Sequence, residues 1–145
     1  MTNNVSKAGD YNILLLNHST LKFNHMKCVM IETPLMARGE RTMEDNLKYA
    51  KECMKDSVKK GEAPFAMHVL YTQVLDDNKY EERWQGILSG LAWSRRADAI
   101  VFYIDYGMST GMNLAYEQAQ LMGIKVEYRT LYTPTEAATE PLVGP

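Results

Sequence analysis

The chain has 145 residues and a formal net charge of −2, which suits one domain with a full hydrophobic core. This slightly acidic balance argues against a nucleic-acid-binding module, which usually presents a basic face. No apolar run approaches the roughly 20 residues of a membrane-spanning helix, and the polar N-terminus lacks the apolar segment of a signal peptide. We therefore expect a cytoplasmic protein with neither a nucleic-acid nor a membrane partner.

The chain ends differ from the middle of the sequence. The first 26 residues are polar apart from Tyr11–Leu16, which we predict as an extra strand in an N-terminal extension. Residues 132–145 contain three prolines and little periodicity, which predicts a flexible C-terminal tail. The expected domain therefore covers residues 27–131.

Strands and helices alternate across this domain. The predicted strands are Cys28–Ile31, Pro64–Tyr71, Ala97–Ile104 and Ile124–Tyr128, and the predicted helices are Met43–Lys60, Glu81–Arg96 and Gly111–Met122. Thr42 is the expected N-cap of the first helix, and Gly61 ends it. This β-α-β-α-β-α-β order predicts a single-domain α/β sandwich, flavodoxin-like or Rossmann-like, around a parallel sheet with right-handed crossovers.

Apolar residues spaced three and four apart predict the buried face of each longer helix. The stripe in the first helix is Met43, Leu47, Ala50, Met54 and Val58, and the stripe in the second is Trp84, Ile87, Leu88 and Leu91. Gly86 and Gly90 permit close approach either of a second subunit or of the sheet.

The cysteines and histidines predict neither a disulfide nor a metal site. Cys28 and Cys53 lie among apolar neighbours, so we expect two reduced core thiols. The three histidines have no metal-ligand spacing among themselves or with the cysteines. We expect no metal and no cofactor.

Parallel topology brings three loops to the carboxyl edge of the sheet, where open α/β sheets bind ligands. These loops are Glu32–Arg41, Val69–Tyr80 and Asp105–Gly111. The last loop precedes a helix whose free N–H groups suit a phosphate or a carboxylate. We therefore predict a small-molecule site, and the anionic part of a nucleotide is the first expected ligand. The candidate contacts are Arg38, Gly39, His68, Asp76, Ser109, Thr110, Gly111 and Met112.

Several candidates also have a purely structural interpretation. Ser109 or Thr110 could cap the last helix, with or without a ligand contact. His68 lies in an apolar run and could be a core histidine. Asp76-Asp77 could form an ordinary turn, or a carboxylate there could hold ribose hydroxyls or act as a nucleophile. Arg38 could be a surface arginine or an anion contact.

The segment from Cys28 to Leu131 resembles the nucleoside 2-deoxyribosyltransferase-like superfamily, and in particular its small uncharacterised members from phages and bacteria. The matching segments are Val29–Pro34, Asn46 with Ala50, Gly61–Asp77, Glu82-Arg83 with Gly86, Ala97-Asp98 through Gly111-Met112, and Gly123–Arg129. The resemblance implies a flavodoxin-like or Rossmann-like fold that is often dimeric. It also implies cleavage or transfer at the N-glycosidic bond of a deoxynucleoside or its 5′-monophosphate.

The resemblance also implies roles for individual residues. In active members a glutamate on the helix after the Ser/Gly turn attacks the anomeric carbon, and an aspartate helps to protonate the leaving base. The nucleophile position falls on Ala115 here, and Glu117 lies two residues later, about 200° around the helix. Met30 replaces the first-strand aromatic residue of many members. The candidate catalytic residues are Asp77, Asp105 and Glu117, and Pro34 joins the ligand contacts.

Three functions stay open at this point. The chain could be an N-glycosidase or deoxyribosyltransferase acting on a nucleoside or nucleotide. It could instead be a non-catalytic binder that senses or sequesters a nucleotide-derived ligand, as in phage counter-defence. It could also be an interaction module whose pocket is vestigial. In each case the resemblance implies a homodimer or a higher homo-oligomer.

Overall fold

A computed structural model describes residues 26–132, so the predicted strand Tyr11–Leu16 and nearly all of the predicted tail lie outside the described residues. Residues 26–132 form four strands and four helices, which alternate except that two helices follow the second strand. In chain order they are β1 (Cys28–Glu32), α1 (Met43–Lys59), β2 (Ala63–Phe65), α2 (Met67–Tyr71), α3 (Tyr80–Ser94), β3 (Ala99–Tyr103), α4 (Thr110–Met122) and β4 (Val126–Arg129). None of these helices is long and apolar enough to cross a membrane.

The sheet is parallel throughout and has the order β2-β1-β3-β4, which confirms the predicted α/β fold. From β1 the chain moves outward to β2, and it then returns across β1 to form β3. Strand order therefore reverses between β1 and β3. In open α/β sheets a crevice forms outside the carboxyl ends of the strands at such a switch point.

The core lies on both faces of the two central strands. Every residue of β3 is buried, because helices cover both faces of the sheet. Alternate side chains point to opposite faces. One face packs Val29, Ile31, Val101 and Tyr103 with Tyr49 and Cys53 of α1, and the other packs Met30, Ile100 and Phe102 with Met67, Met112 and Ala119.

The prediction of one strand over Pro64–Tyr71 is wrong. The strand ends at Phe65, and Met67–Tyr71 forms the short helix α2. A short apolar run does not distinguish a buried strand from a buried helical turn, and here the packing of Met67 in the core decides. As a consequence, His68 lies on a helix above the edge of the sheet.

The start of α1 agrees with the prediction. Thr42 is the N-cap, its hydroxyl accepts a hydrogen bond from Asp45 N at 3.1 Å, and the Asp45 carboxylate accepts one from Thr42 N at 2.9 Å. This reciprocal pair satisfies two N–H groups that would otherwise lack partners, and it stabilises the helix start.

The predicted buried stripe of α1 needs correction. The buried residues of the helix are Asn46, Tyr49, Ala50, Cys53 and Ser57, whereas Val58 is 58% exposed. Asn46 is buried because its amide donates to the carbonyl oxygens of Leu35 and Met36, and Ser57 because its hydroxyl donates to Glu62. The spacing of apolar residues cannot predict the burial of polar residues whose hydrogen-bond partners lie in other segments.

Two further predictions are also wrong in part. Cys53 is buried as expected, but Cys28 is exposed, because burial along β1 begins only at Val29. In α3, Trp84 and Leu88 are 39% and 60% exposed, because no described element covers that side of the helix.

Gly86 and Gly90 lie against segments of the same chain. A Cβ atom at Gly86 would lie 3.4 Å from Leu75 Cδ1, and one at Gly90 would lie 3.7 Å from Met67 Cβ. The two glycines therefore allow α3 to pack closely on α2 and the segment that follows it. Neither the sheet nor a second subunit is needed to explain them.

Candidate ligand-binding site

A cavity of about 610 Å³ opens at the carboxyl edge of the sheet, beside the switch point. Its volume lies within the usual range for small-molecule sites. Its polar lining includes Glu32, Arg38, His68, Asp77, Glu82, Arg83, Ser109, Thr110, Gly111 and Asn113, and its apolar walls include Leu35, Met67, Ile87, Leu91, Met112 and Leu114. We call this space the main cavity.

Glu32 is one of the pocket residues that the sequence analysis did not name as candidates; Glu82, Arg83 and Asn113 are others. Glu32 ends β1 and lines the main cavity, and its carboxyl group takes part in no hydrogen bond within residues 26–132. Burial raises the pKa of Glu32 to about 7, so the group is partly protonated at neutral pH. Its place at the end of the first predicted strand, where the loop Glu32–Arg41 begins at the carboxyl edge of the sheet, is the sequence signal that points to Glu32.

His68 lies beside the end of β1. Its Nε2 atom is 2.8 Å from Thr33 Oγ1, and its buried Nδ1 atom has no hydrogen-bond partner among the described residues. Burial lowers the pKa of His68 to about 4, so the ring is neutral at physiological pH. His68 and the adjoining buried residue Thr33 both line the main cavity.

The amino end of α4 forms another part of the lining. Ser109 is the N-cap, and its hydroxyl accepts a hydrogen bond from Met112 N at 3.2 Å. The N–H groups of Thr110 and Gly111 lie in the first turn, where a helix offers them no partner. The capping interpretation of Ser109 is therefore correct, and the same turn leaves N–H groups available to an anion.

The two neighbouring aspartates differ in position. Asp77 lines the main cavity and Asp76 does not. Asp76 Oδ1 accepts a hydrogen bond from Asn78 N at 3.1 Å, and Asp76 N donates to the Glu82 carboxylate at 2.7 Å. Asp76 thus shapes the turn that leads into α3, while Asp77 is free to meet a ligand.

Asp105 and Glu117 line neither of the cavities described for this protein. Asp105 accepts hydrogen bonds from Leu131 N at 3.0 Å, from Tyr132 N at 2.9 Å and from the Tyr49 hydroxyl. Desolvation opposes ionisation of this carboxyl, but these hydrogen bonds outweigh it and hold its pKa below the usual range. Glu117 is exposed, whereas Ala115, two residues earlier, lines the main cavity.

A smaller cavity of about 270 Å³ adjoins the main one. It is lined by Pro34, Met36, Arg38, Gly39, Arg41, Asn46, Tyr106 and Ser109. Met36, Arg38 and Ser109 also line the main cavity, so the two spaces share a wall. Pro34 and Gly39, which were expected at the ligand, line this second cavity. No group of three or more His, Cys, Asp or Glu side chains within residues 26–132 is placed to hold a metal ion.

The strand order and the crevice at its switch point place the protein in the flavodoxin-like class of α/β folds. Within that class, the chain belongs to a family of domains of unknown function, DUF7768, whose family model matches residues 27–129.

The fold is also found in a solved structure of known activity. The chain is similar to a 2-deoxyribosyltransferase from the psychrotolerant bacterium Bacillus psychrosaccharolyticus, with a TM-score of 0.56 and 15% sequence identity. The match covers 71% of this chain and 72% of the other. At this identity the similarity shows the fold. No curated protein matches the chain.

Proposed function

We propose that this protein binds a nucleoside or a nucleoside 5′-monophosphate in the main cavity and hydrolyses its N-glycosidic bond. The observation that carries the proposal is the meeting of two carboxyl groups, Glu32 and Asp77, with the amino end of α4 in one cavity. The shared fold with a 2-deoxyribosyltransferase supports the same class of substrate.

The charges around the cavity suggest the orientation of this ligand. The free N–H groups of Thr110 and Gly111 at the amino end of α4 suit a 5′-phosphate. Asp77 lies on the loop between α2 and α3, where its carboxylate suits sugar hydroxyls and the anomeric carbon. Apolar walls such as Met67 and Ile87 offer a surface for the base.

Glu32 has the properties of a general acid for this reaction. In the proposed step the bond between C1′ and the base nitrogen breaks, and its electron pair leaves with the base. Glu32 donates a proton to the base, while water attacks C1′ and passes its own proton to Asp77. The resemblance to deoxyribosyltransferases places the nucleophile position on Ala115, which has no carboxylate, so we propose direct attack by water rather than a glycosyl-enzyme intermediate.

A chromatographic assay for free base tests this proposal. The protein is incubated with a panel of nucleosides, deoxynucleosides and their 5′-monophosphates, and base release is compared with a protein-free control. We expect Glu32→Gln and Asp77→Asn each to reduce the rate about 100-fold or more, which is the usual contribution of general acid–base catalysis. Glu81→Gln is the matched control, because Glu81 is exposed and lines neither cavity.

Two other outcomes of this assay would contradict the roles proposed for Glu32 and Asp77. Loss of activity in Glu117→Gln with full activity in Glu32→Gln would return the catalytic role to the α4 glutamate. No base release, combined with a nucleotide that raises the melting temperature, would indicate a non-catalytic binder. The presence of Ala115 in the main cavity favours that second function, a protein that senses or sequesters a nucleotide-derived ligand.

We also propose that the protein forms a homodimer through α3. Tyr80, Trp84 and Leu88 are spaced four residues apart and are 75%, 39% and 60% exposed, so they form one apolar stripe on the solvent side of the helix. The neighbouring Ile87 and Leu91 line the main cavity. A second copy packed on this stripe would therefore lie beside the ligand.

A further inference from the structure

The second cavity has an unusual charge pattern. Its charged lining residues are Arg38 and Arg41, and no carboxylate lines it. The main cavity, in contrast, has Glu32, Asp77 and Glu82 in its lining. Two guanidinium groups around a space of about 270 Å³ suit an anion that is larger than a water molecule.

Arg41 is fixed in place by three contacts. Its Nε atom donates to Asn46 Oδ1 at 3.0 Å, its Nη2 atom donates to the carbonyl oxygen of Asp45 at 3.3 Å, and its Cζ atom lies 3.5 Å from the centre of the Tyr106 ring. These contacts leave further N–H donors on the guanidinium group, which carries five in all. Arg41 therefore meets a ligand with little further loss of side-chain entropy.

The backbone links Arg38 to Arg41. Arg38 N donates to Arg41 O at 3.0 Å and Arg41 N donates to Arg38 O at 3.2 Å, around a tight turn in which Gly39 has a φ of 60°. Asn46 supports the preceding loop by donating to the carbonyl oxygens of Leu35 and Met36. The same buried asparagine thus positions Arg41 and shapes the loop that carries Arg38.

The acidic residues near Arg41 include Glu40, which is exposed and lines neither cavity, and Asp45, whose carboxylate is engaged elsewhere. The Asp45 carboxylate accepts hydrogen bonds from Thr42 N at 2.9 Å and from Thr42 Oγ1 at 2.7 Å as part of the α1 cap. It does not line the second cavity. Arg38 is exposed, lines both cavities and makes no side-chain hydrogen bond or ion pair within residues 26–132. The positive charge at this wall is therefore available to a ligand.

We propose that the second cavity is an anion subsite that binds a further phosphate group of the ligand. Arg38 and Arg41 bind this phosphate, while the nucleoside lies in the main cavity. The preferred ligand is then a nucleoside 5′-diphosphate rather than the monophosphate. The nucleoside part of this inference rests on the proposed function, whereas the anion subsite itself rests only on the second cavity.

Isothermal titration calorimetry compares the mono- and diphosphate of one nucleoside, with inorganic pyrophosphate as a separate probe. We expect the diphosphate to bind at least about tenfold more tightly than the monophosphate, because charged hydrogen bonds to arginine are worth about that much. Arg38→Gln should abolish this preference and weaken pyrophosphate binding about tenfold or more. Arg96→Gln makes the same charge change at an exposed position outside both cavities and should preserve both.

The separate probes distinguish failure of this inference from failure of the proposed function. Pyrophosphate binding that depends on Arg38, without any nucleotide binding or base release, would support the subsite and contradict the proposed function. Equal affinity for mono- and diphosphate, or a preference that Arg38→Gln retains, would overturn the subsite. Arg38 makes no described side-chain bond within the fold, so its replacement tests the subsite without removing a structural contact. Arg41→Lys, which keeps the charge but loses the planar fork, should weaken pyrophosphate binding as well.

Discussion

Glu32 and His68 line the same cavity, and burial moves their pKa values in opposite directions. The pKa of the Glu32 carboxyl rises from 4.5 to about 7, and the pKa of the His68 imidazole falls from 6.5 to about 4. Both groups therefore favour the neutral form. A neutral carboxyl in the lining of the cavity can donate a hydrogen bond or a proton, which is the chemistry that the proposed function needs.

These shifts predict how the stability of Glu32→Gln depends on pH. As pH rises from 4.5 to about 7, Glu32 ionises more readily in the unfolded chain, so its contribution to stability falls. Between pH 4 and 6.5 the His68 ring is protonated in the unfolded chain but neutral in the folded one. As pH rises across this range the unfolded chain loses that proton, so the contribution of His68 to the free energy of unfolding rises. The wild-type curve should therefore be nearly flat between pH 4.5 and 6.5, and Glu32→Gln should gain stability steadily across that range.

Urea unfolding midpoints at half-unit steps of pH measure this difference. Glu81→Gln removes an exposed carboxyl from the first turn of α3 and should keep the wild-type profile. Parallel curves for wild type and Glu32→Gln would contradict the raised pKa of Glu32.

At the scale of elements, the starts of α1 and α4 were predictable from capping residues. Thr42 caps α1 and Ser109 caps α4, and both lie directly before an apolar helical pattern. The signals that define such an end lie within a few residues of it. The prediction failed at α2, where five residues carry too little periodic information and the tertiary contacts of Met67 decide.

Ser109 and Thr42 form a matched pair of caps. Replacement of either by alanine should cost about 1 kcal/mol of stability, because each removes one side-chain acceptor for a helix N–H group. Urea unfolding of Ser109→Ala and Thr42→Ala checks that cost. Only Ser109→Ala should also weaken nucleotide binding, because Ser109 lines both cavities and Thr42 lines neither. Equal nucleotide affinity in the two variants would mean that Ser109 caps α4 and does not contact the nucleotide.

At the scale of the whole molecule, one ion network joins the two edges of the sheet. Arg129 of β4 donates two hydrogen bonds to Glu62, which precedes β2, at 2.7 and 2.8 Å, and one to Glu127 at 2.7 Å. Arg129 is the main cause of the lowered pKa of Glu62. Lys27 and Arg129 together lower the pKa of Glu127 to about 2.

Arg129→Met should therefore destabilise the fold by about 2 kcal/mol at neutral pH, because it leaves two half-buried carboxylates without this partner. The matched control is Lys48→Met, which removes the exposed ion pair between Lys48 and Glu44. This change should lower the free energy of unfolding by less than about 0.5 kcal/mol. The difference between wild type and Arg129→Met should shrink as pH falls from 4.5 toward 2, where Glu62 and Glu127 become protonated. Urea unfolding at pH 7 and at pH 3 measures both effects.

The proposed dimer is also a property of the whole molecule. Leu88→Lys places a charge in the centre of the exposed α3 stripe and should convert a micromolar dimer to a monomer in sedimentation velocity. Leu121→Lys changes an isolated leucine on α4 that is 79% exposed, and it should leave the sedimentation coefficient unchanged. A wild-type protein that sediments as a monomer would remove the dimer proposal.

The sequence by itself determined the fold class, the order of the longer elements and the edge of the sheet where the main cavity opens. Periodicity, caps and glycine turns are local signals, and parallel topology then brings the loops after β1 and β3 together. These signals also singled out Arg38, Asp77 and Ser109, which all line the main cavity.

Only the tertiary structure decided which side chains face the cavity. Glu32 ends β1 and Asp105 follows β3, but the Asp105 carboxylate accepts hydrogen bonds from Leu131 N and Tyr132 N while Glu32 lines the cavity. Thr33 and His68 are 35 residues apart and meet only after the chain has folded. The direction of a side chain at a loop is set by such distant partners, because most buried polar groups find a hydrogen bond in the folded chain.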